Sequence, residues 1–152
     1  MMIKDKRTKA PKKIEKKPQK IKPSKKLKEM KLIVIEDEES LGRVLKDKLE
    51  KEGYEVIVAS DGEAGLEAIK KENPDLVLLD LILPKKTGFE VLEALKNDPE
   101  GKRFPVIVLS NLGEDDNIKK AFDLGAIDYF VKTQHPINEI IEKVKGQLAK
   151  GI

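Results

Sequence analysis

Five times between residues 32 and 148 a short apolar run gives way to a stretch with the amphipathic period of a helix, and that alternation leaves few folds open. The runs are residues 32–35, 56–59, 76–79, 106–109 and 127–131, each nearly continuous in apolar side chains. Continuous runs are expected of strands buried on both faces, as in a parallel sheet covered by helices. Between them, Leu41, Val44, Leu45 and Leu49 form one helical stripe, and Ile137, Ile140, Ile141, Val144 and Leu148 form another. Gly53 follows the first helix, Asn73-Pro74 closes the second, and Thr87-Gly88-Phe89-Glu90 has the spacing of a capping box opening the third. The fourth helix is predicted from about Glu114 to Leu124 with Ile118, Ala121 and Phe122 inward, and Pro136 suits the first position of the fifth.

Five such units with right-handed crossovers predict an α/β, doubly wound five-stranded parallel sheet, flavodoxin-like in its order 2-1-3-4-5, with helices on both faces. In that order strands one and three are neighbours, and ligands bind beyond their carboxyl ends. Glu36-Asp37-Glu38-Glu39 follow the first strand and Asp80 follows the third, so several carboxylates converge on one crevice. Like charges that close are unfavourable unless a cation binds or a carboxyl is protonated. An all-oxygen set with one or two carboxylates suits Mg2+. Strand four ends in Ser110-Asn111 and strand five in Lys132, which adds a hydroxyl, a backbone N–H and an ammonium to the same rim. An acceptor carboxylate, a divalent cation, a fixed positive charge and hydrogen-bond donors are the requirements of phosphoryl transfer to oxygen.

Each residue also has a plainer reading. Glu38 and Glu39 stand at a helix start, where the helix dipole alone favours acidic residues. Asp80 by itself is open between a loop-capping aspartate and a site, Lys132 between a strand-end lysine and a ligand, and Ser110 between a turn residue and a donor. Their joint placement on one rim favours the site. His135 is the one histidine, immediately precedes Pro136, and has no second base or ligand beside it in sequence, so it reads as structural.

Taken together these motifs resemble the receiver domains of two-component response regulators, over essentially all of residues 31–150. The resemblance rests on Glu36-Asp37, on Asp80-Leu81-Ile82-Leu83-Pro84 with Gly88 closing the loop, on Ser110 thirty positions after Asp80, and on Asp128-Tyr129-Phe130-Val131-Lys132. It implies a phosphoacceptor, Asp80, that receives a phosphoryl group from a sensor histidine kinase or phosphotransfer protein. The receiver would catalyse its own phosphorylation and dephosphorylation without being a dedicated enzyme. It also implies Mg2+ held by Asp37, Asp80 and the carbonyl of Ile82, with Glu36 acting through a water. Lys132, Ser110 and the N–H of Asn111 would stabilise the phosphoryl oxygens. Ser110 and Tyr129 would form a switch that alters the face of helix four, strand five and helix five offered to a downstream protein. Proline usually follows the lysine directly in this family; here Thr133 does, and Pro136 comes three residues later, which puts the path of that loop in question.

Composition matters ahead of the first strand. Up to Met30 there are 13 basic and 3 acidic residues, and after it 18 basic and 25 acidic, giving formal charges of +10 and −7. A Lys/Pro-rich block of that kind lacks the apolar surface to order itself, so residues 1–29 are expected to be a disordered basic tail and 30–152 a stand-alone receiver domain. The tail supports an alternative function: non-specific binding of nucleic acid under receiver control, without aromatic stacking on bases. With no cysteine and no apolar stretch long enough for a membrane span or secretory leader, the expected location is cytoplasmic, with no membrane partner.

Overall fold

The structure, a computed structural model, describes residues 30–150, so the basic tail predicted for residues 1–29 lies outside it. Five parallel strands, β1 (Lys31–Ile35), β2 (Glu55–Ala59), β3 (Leu76–Leu79), β4 (Val106–Ser110) and β5 (Asp128–Val131), lie in the order β2-β1-β3-β4-β5. They alternate with α1 (Glu39–Lys51), α2 (Gly62–Glu72), α3 (Gly88–Asn97), α4 (Asp115–Asp123) and α5 (Ile137–Ala149), and a single 3-10 turn, Gly101–Arg103, precedes β4. The predicted order is therefore observed.

Strand periodicity divides the core. Leu32, Val34, Leu76, Leu78, Ile107, Leu109 and Phe130 point to the face covered by α1 and α5, where they meet Leu45, Leu49, Ile140 and Val144. The intervening Ile33, Ile35, Val77, Leu79, Val108 and Tyr129 point to the other face and pack on Ile69 of α2, on Val91 and Leu92 of α3, and on Ala121 of α4. Each fully buried Leu or Ile contributes roughly 1.5–3 kcal/mol relative to exposure, so the central strands anchor both layers. The helix ends follow local chemistry. Thr87 and Glu90 form the reciprocal capping box at α3, Asp61 accepts from Ala64 N at 2.7 Å to cap α2, and Asn73 ends α2 in the left-handed conformation.

Some expectations need correction. The edge strand β2 is not buried on both faces: Glu55 is exposed, and Val58 remains 38% exposed because Gly42 of α1 has no side chain to lay over it. Val44 and Phe122 are exposed too, since each lies about 100° around its helix from a buried neighbour, Leu45 or Ala121. Ile127 is exposed and stands just before β5, its N–H donating to Val106 O at 2.8 Å. Pro136 occupies the cap of α5 rather than its first helical position.

Glycines at the rim set the loop paths. A Cβ on Gly88 would lie 2.3 Å from the carbonyl oxygen of Asp80, and one on Gly62 would lie 1.8 Å from that of Lys86. Both helix starts are thus pressed against the loop after β3 at distances no side chain permits. Gly146 differs: it is exposed within α5, and a Cβ there would have nothing within 4 Å. Gly146→Ala is accordingly expected to raise stability by about 0.5–1 kcal/mol, through helix propensity alone, in urea unfolding; a lowered midpoint would contradict this.

Candidate functional site

Glu36, Asp80 and Lys132 are each the first residue beyond a strand and are still tied to the neighbouring strand by one more backbone hydrogen bond. Glu36 N donates to Ala59 O at 2.9 Å, Asp80 N to Ile35 O at 3.0 Å, and Lys132 N to Ser110 O at 2.9 Å. The sheet ladder therefore fixes the roots of these side chains, which is the precision a reactive site needs.

Lys132 joins the acidic groups. Its Nζ donates to Asp80 Oδ2 at 2.8 Å and pairs with Glu36 Oε1 at 2.8 Å, although β5 is three places from β1 in the sheet. The remaining oxygens are also engaged: Ile82 N donates to Asp80 Oδ1 at 3.2 Å, and Glu38 N to Glu36 Oε2 at 3.1 Å. Glu36 and Asp80 are buried, Lys132 largely so, and Asp37 is exposed. Burial pushes the Glu36 carboxyl up, with the Asp80 charge adding to the shift and the Lys132 hydrogen bond opposing it. Burial pulls the Lys132 ammonium down, but its bonds to Asp80 and Glu36 outweigh that and hold it above the ordinary lysine value. Two buried carboxyls sharing one ammonium keep Lys132 charged, while burial favours the neutral form of Glu36.

Glu36, Asp37 and Asp80 present oxygens within 4.8 Å of one another. Opposite ligands of a Mg2+ octahedron stand about 4.2 Å apart, so this hard all-oxygen set fits such an ion with small side-chain shifts. With Asp37 exposed, there is room for the ion to keep several waters.

Ser110 is fully buried, and its Oγ accepts from Leu112 N at 3.3 Å; Asn111 beside it is exposed. The Tyr129 ring lies inward and its hydroxyl donates to the carbonyl of Leu112, while burial, and then the charges of Asp80 and Glu114, raise the phenol above its ordinary value. Leu112 in the loop after β4 is thus held at its N–H by Ser110 and at its carbonyl by Tyr129. Glu38 and Glu39 are exposed at the start of α1, where Glu39 pairs with Arg43 at 3.3 Å, in keeping with the structural reading. The Lys132–Thr133 bond is trans, as are all peptide bonds among the described residues, and the lysine still reaches the site.

Two contacts had no sequence signal. The Glu36–Lys132 pair depends on how far a lysine reaches across the strand ends, and the Leu112 linkage engages that residue through its backbone, whose partners its side chain does not reveal.

Comparison with known proteins agrees with this architecture. A family model described as the response regulator receiver domain matches residues 32–145. The alkaline phosphatase synthesis transcriptional regulatory protein PhoP of Bacillus subtilis is 39% identical over 120 residues, covering 79% of this chain and 49% of that protein. The chain thus spans about half the length of such curated relatives. Among solved structures, the receiver domain of a Francisella response regulator superposes with a TM-score of 0.71 at 30% identity, covering 76% of this chain and 93% of that one. The Mn2+-bound form of response regulator Rcp1 gives a TM-score of 0.67 at 31% identity, covering 77% and 90%.

Proposed function

The chain belongs to the response regulator receiver domain family, and from that premise we propose that Asp80 is the phosphoacceptor of a cytoplasmic two-component pathway. Receiver domains of response regulators work between histidine kinases and downstream effectors. The observation that carries the assignment to Asp80 is its buried carboxylate, held by the Lys132 ammonium at 2.8 Å within the acidic cluster.

In this reading an Asp80 oxygen attacks the phosphorus of a phosphohistidine or a small acyl phosphate. The bond from phosphorus to the donor breaks, the leaving imidazole or carboxylate departs, and an aspartyl phosphate remains. Asp37, Asp80 and the Ile82 carbonyl would hold Mg2+, with Glu36 in support, and the bound ion would offset charge on the transferring group. The sheet ladder holds Asp80 in line, and Lys132 moves from the carboxylate to a phosphoryl oxygen. Ser110 and the N–H of Asn111 take the others. Because the Ser110 hydroxyl and Tyr129 hold the N–H and the carbonyl of the same residue, Leu112, a hydroxyl drawn toward the phosphoryl group shifts that loop, and with it the α4-β5-α5 face proposed to dock the downstream partner.

The full chain with acetyl phosphate and Mg2+ should gain one acid-stable, base-labile phosphoryl group, measurable by intact mass. Asp80→Ala should abolish it, and labelling that persists in that variant would reject the assignment.

A further inference from the structure

Lys132 opens a loop with no proline next to it, and Thr133 and Gln134 are exposed. What holds this loop is visible on its far side. Gln134 N donates to Val131 O at 2.9 Å, closing a tight turn around Lys132 and Thr133. The His135 ring then packs edge-on against Phe130, with centroids 5.1 Å apart and planes at 79°. Its Nδ1 lies 2.9 Å from Glu139 Oε2 in α5; the carboxylate can only accept, so Nδ1 carries the proton. Phe130 is itself buried among Leu109, Ile140 and Ile141. His135 thus joins the end of β5 to the first turn of α5 and closes the loop that carries Lys132.

We propose that His135 is a positioning residue for Lys132, its ring against Phe130 fixing the loop so that the ammonium meets Asp80 and Glu36. The effect on phosphoryl transfer rests on the reading of Asp80 given above; the effect on the position of Lys132 does not. His135 touches neither Asp80 nor the acidic cluster, so its removal should disturb transfer without disturbing the metal ligands. A reacting or stabilising group displaced by about 1 Å can slow a reaction up to 100-fold, and loss of one loop anchor should give about a tenth of that, a tenfold slowing.

Two measurements on the full chain separate the alternatives. The first is the slowly exchanging ammonium resonance of Lys132 in a 15N-lysine spectrum, assigned by its loss in Lys132→Ala. It should vanish in His135→Ala and persist in His135→Phe, which keeps the ring and gives up the bond to Glu139. The second is labelling by acetyl phosphate at saturating Mg2+, expected to slow about tenfold in His135→Ala while the Mg2+ dissociation constant stays within about twofold, with His135→Phe restoring most of the rate. A resonance that survives in His135→Ala overturns the proposal, as does one lost equally in His135→Phe. If the parent chain accepts no phosphoryl group, the reading of Asp80 fails, and the resonance alone still decides the role of His135.

Discussion

Lys132→Ala should slow phosphoryl acceptance from acetyl phosphate by about 100- to 1,000-fold, the loss that follows removal of one preorganised donor from a developing anion. The variant should also bind Mg2+ more tightly, because Glu36 Oε1 and Asp80 Oδ2 lose the ammonium that competes with the ion. Its folding stability without metal should fall by about 3–5 kcal/mol at neutral pH, since two buried carboxylates are left without their cation. The pH dependence has a definite sign. Burial already raises the Glu36 carboxyl, and loss of the Lys132 hydrogen bond that opposes this shifts it further up. A carboxyl whose folded value exceeds its unfolded value stabilises below the unfolded value and loses that contribution as pH rises through the folded one. The deficit relative to the parent should therefore be small in acid and widen toward neutrality, and Mg2+ should narrow it. Rates from intact mass, calorimetric titration with Mg2+ and urea midpoints at several pH values measure these effects. A rate within fivefold of the parent would remove Lys132 from the transfer step, and a deficit that shrinks as pH rises would contradict the electrostatic account.

Gly62→Ala should be the most destabilising single methyl added to this fold, lowering stability by about 3 kcal/mol. The new Cβ would sit 1.8 Å from the carbonyl oxygen of Lys86 and 2.6 Å from its carbonyl carbon, both main-chain atoms that no rotamer change can clear. Relief must come from moving the start of α2 or the loop after β3. That loop is constrained: Lys85 holds a φ of 67°, Lys86 N donates to Pro84 O at 2.7 Å, and Gly62 N to the same oxygen at 3.3 Å. Because the loop begins at Asp80, a shift large enough to admit the methyl should also weaken Mg2+ binding. Urea unfolding measures the first effect and calorimetric titration the second. An unchanged midpoint would mean that the two segments do not pack as closely as the structure has them.

The fold was readable from sequence because β1, β3 and β4 are continuous apolar runs, and only a sheet covered on both faces needs such runs. The edge was not readable. In β2, Val58 is as apolar as Val34, and its exposure is decided by Gly42 on another element, which no property of the strand itself reveals. Val44 and Phe122 fail for a related reason: an apolar residue at the margin of a helical stripe counts toward the pattern whether or not a neighbour covers it. At the site, the sequence placed Glu36, Asp37, Asp80, Ser110 and Lys132 on one rim because the strand order determines which chain ends meet. It could not indicate that Glu36 would pair with Lys132, which depends on side-chain reach rather than on order. Thr133 puts the path of the loop after β5 in question, and there a local turn closes around Lys132 and Thr133 with the His135 ring packed against Phe130 behind it.

The helices are unequally anchored. α3 buries Val91, Leu92 and Leu95 behind a complete capping box, whereas the nine residues of α4 bury only Ala121 and start from Glu114 without a side-chain cap. The free energy needed to detach an element from its core scales with the apolar surface it gives up, so α4 has the lowest local opening energy of the two by several kcal/mol. A single covalent modification supplies free energy of only that order. The inequality leaves α4 more weakly held than α3, so a change in its pose costs less than an equal change in that of α3.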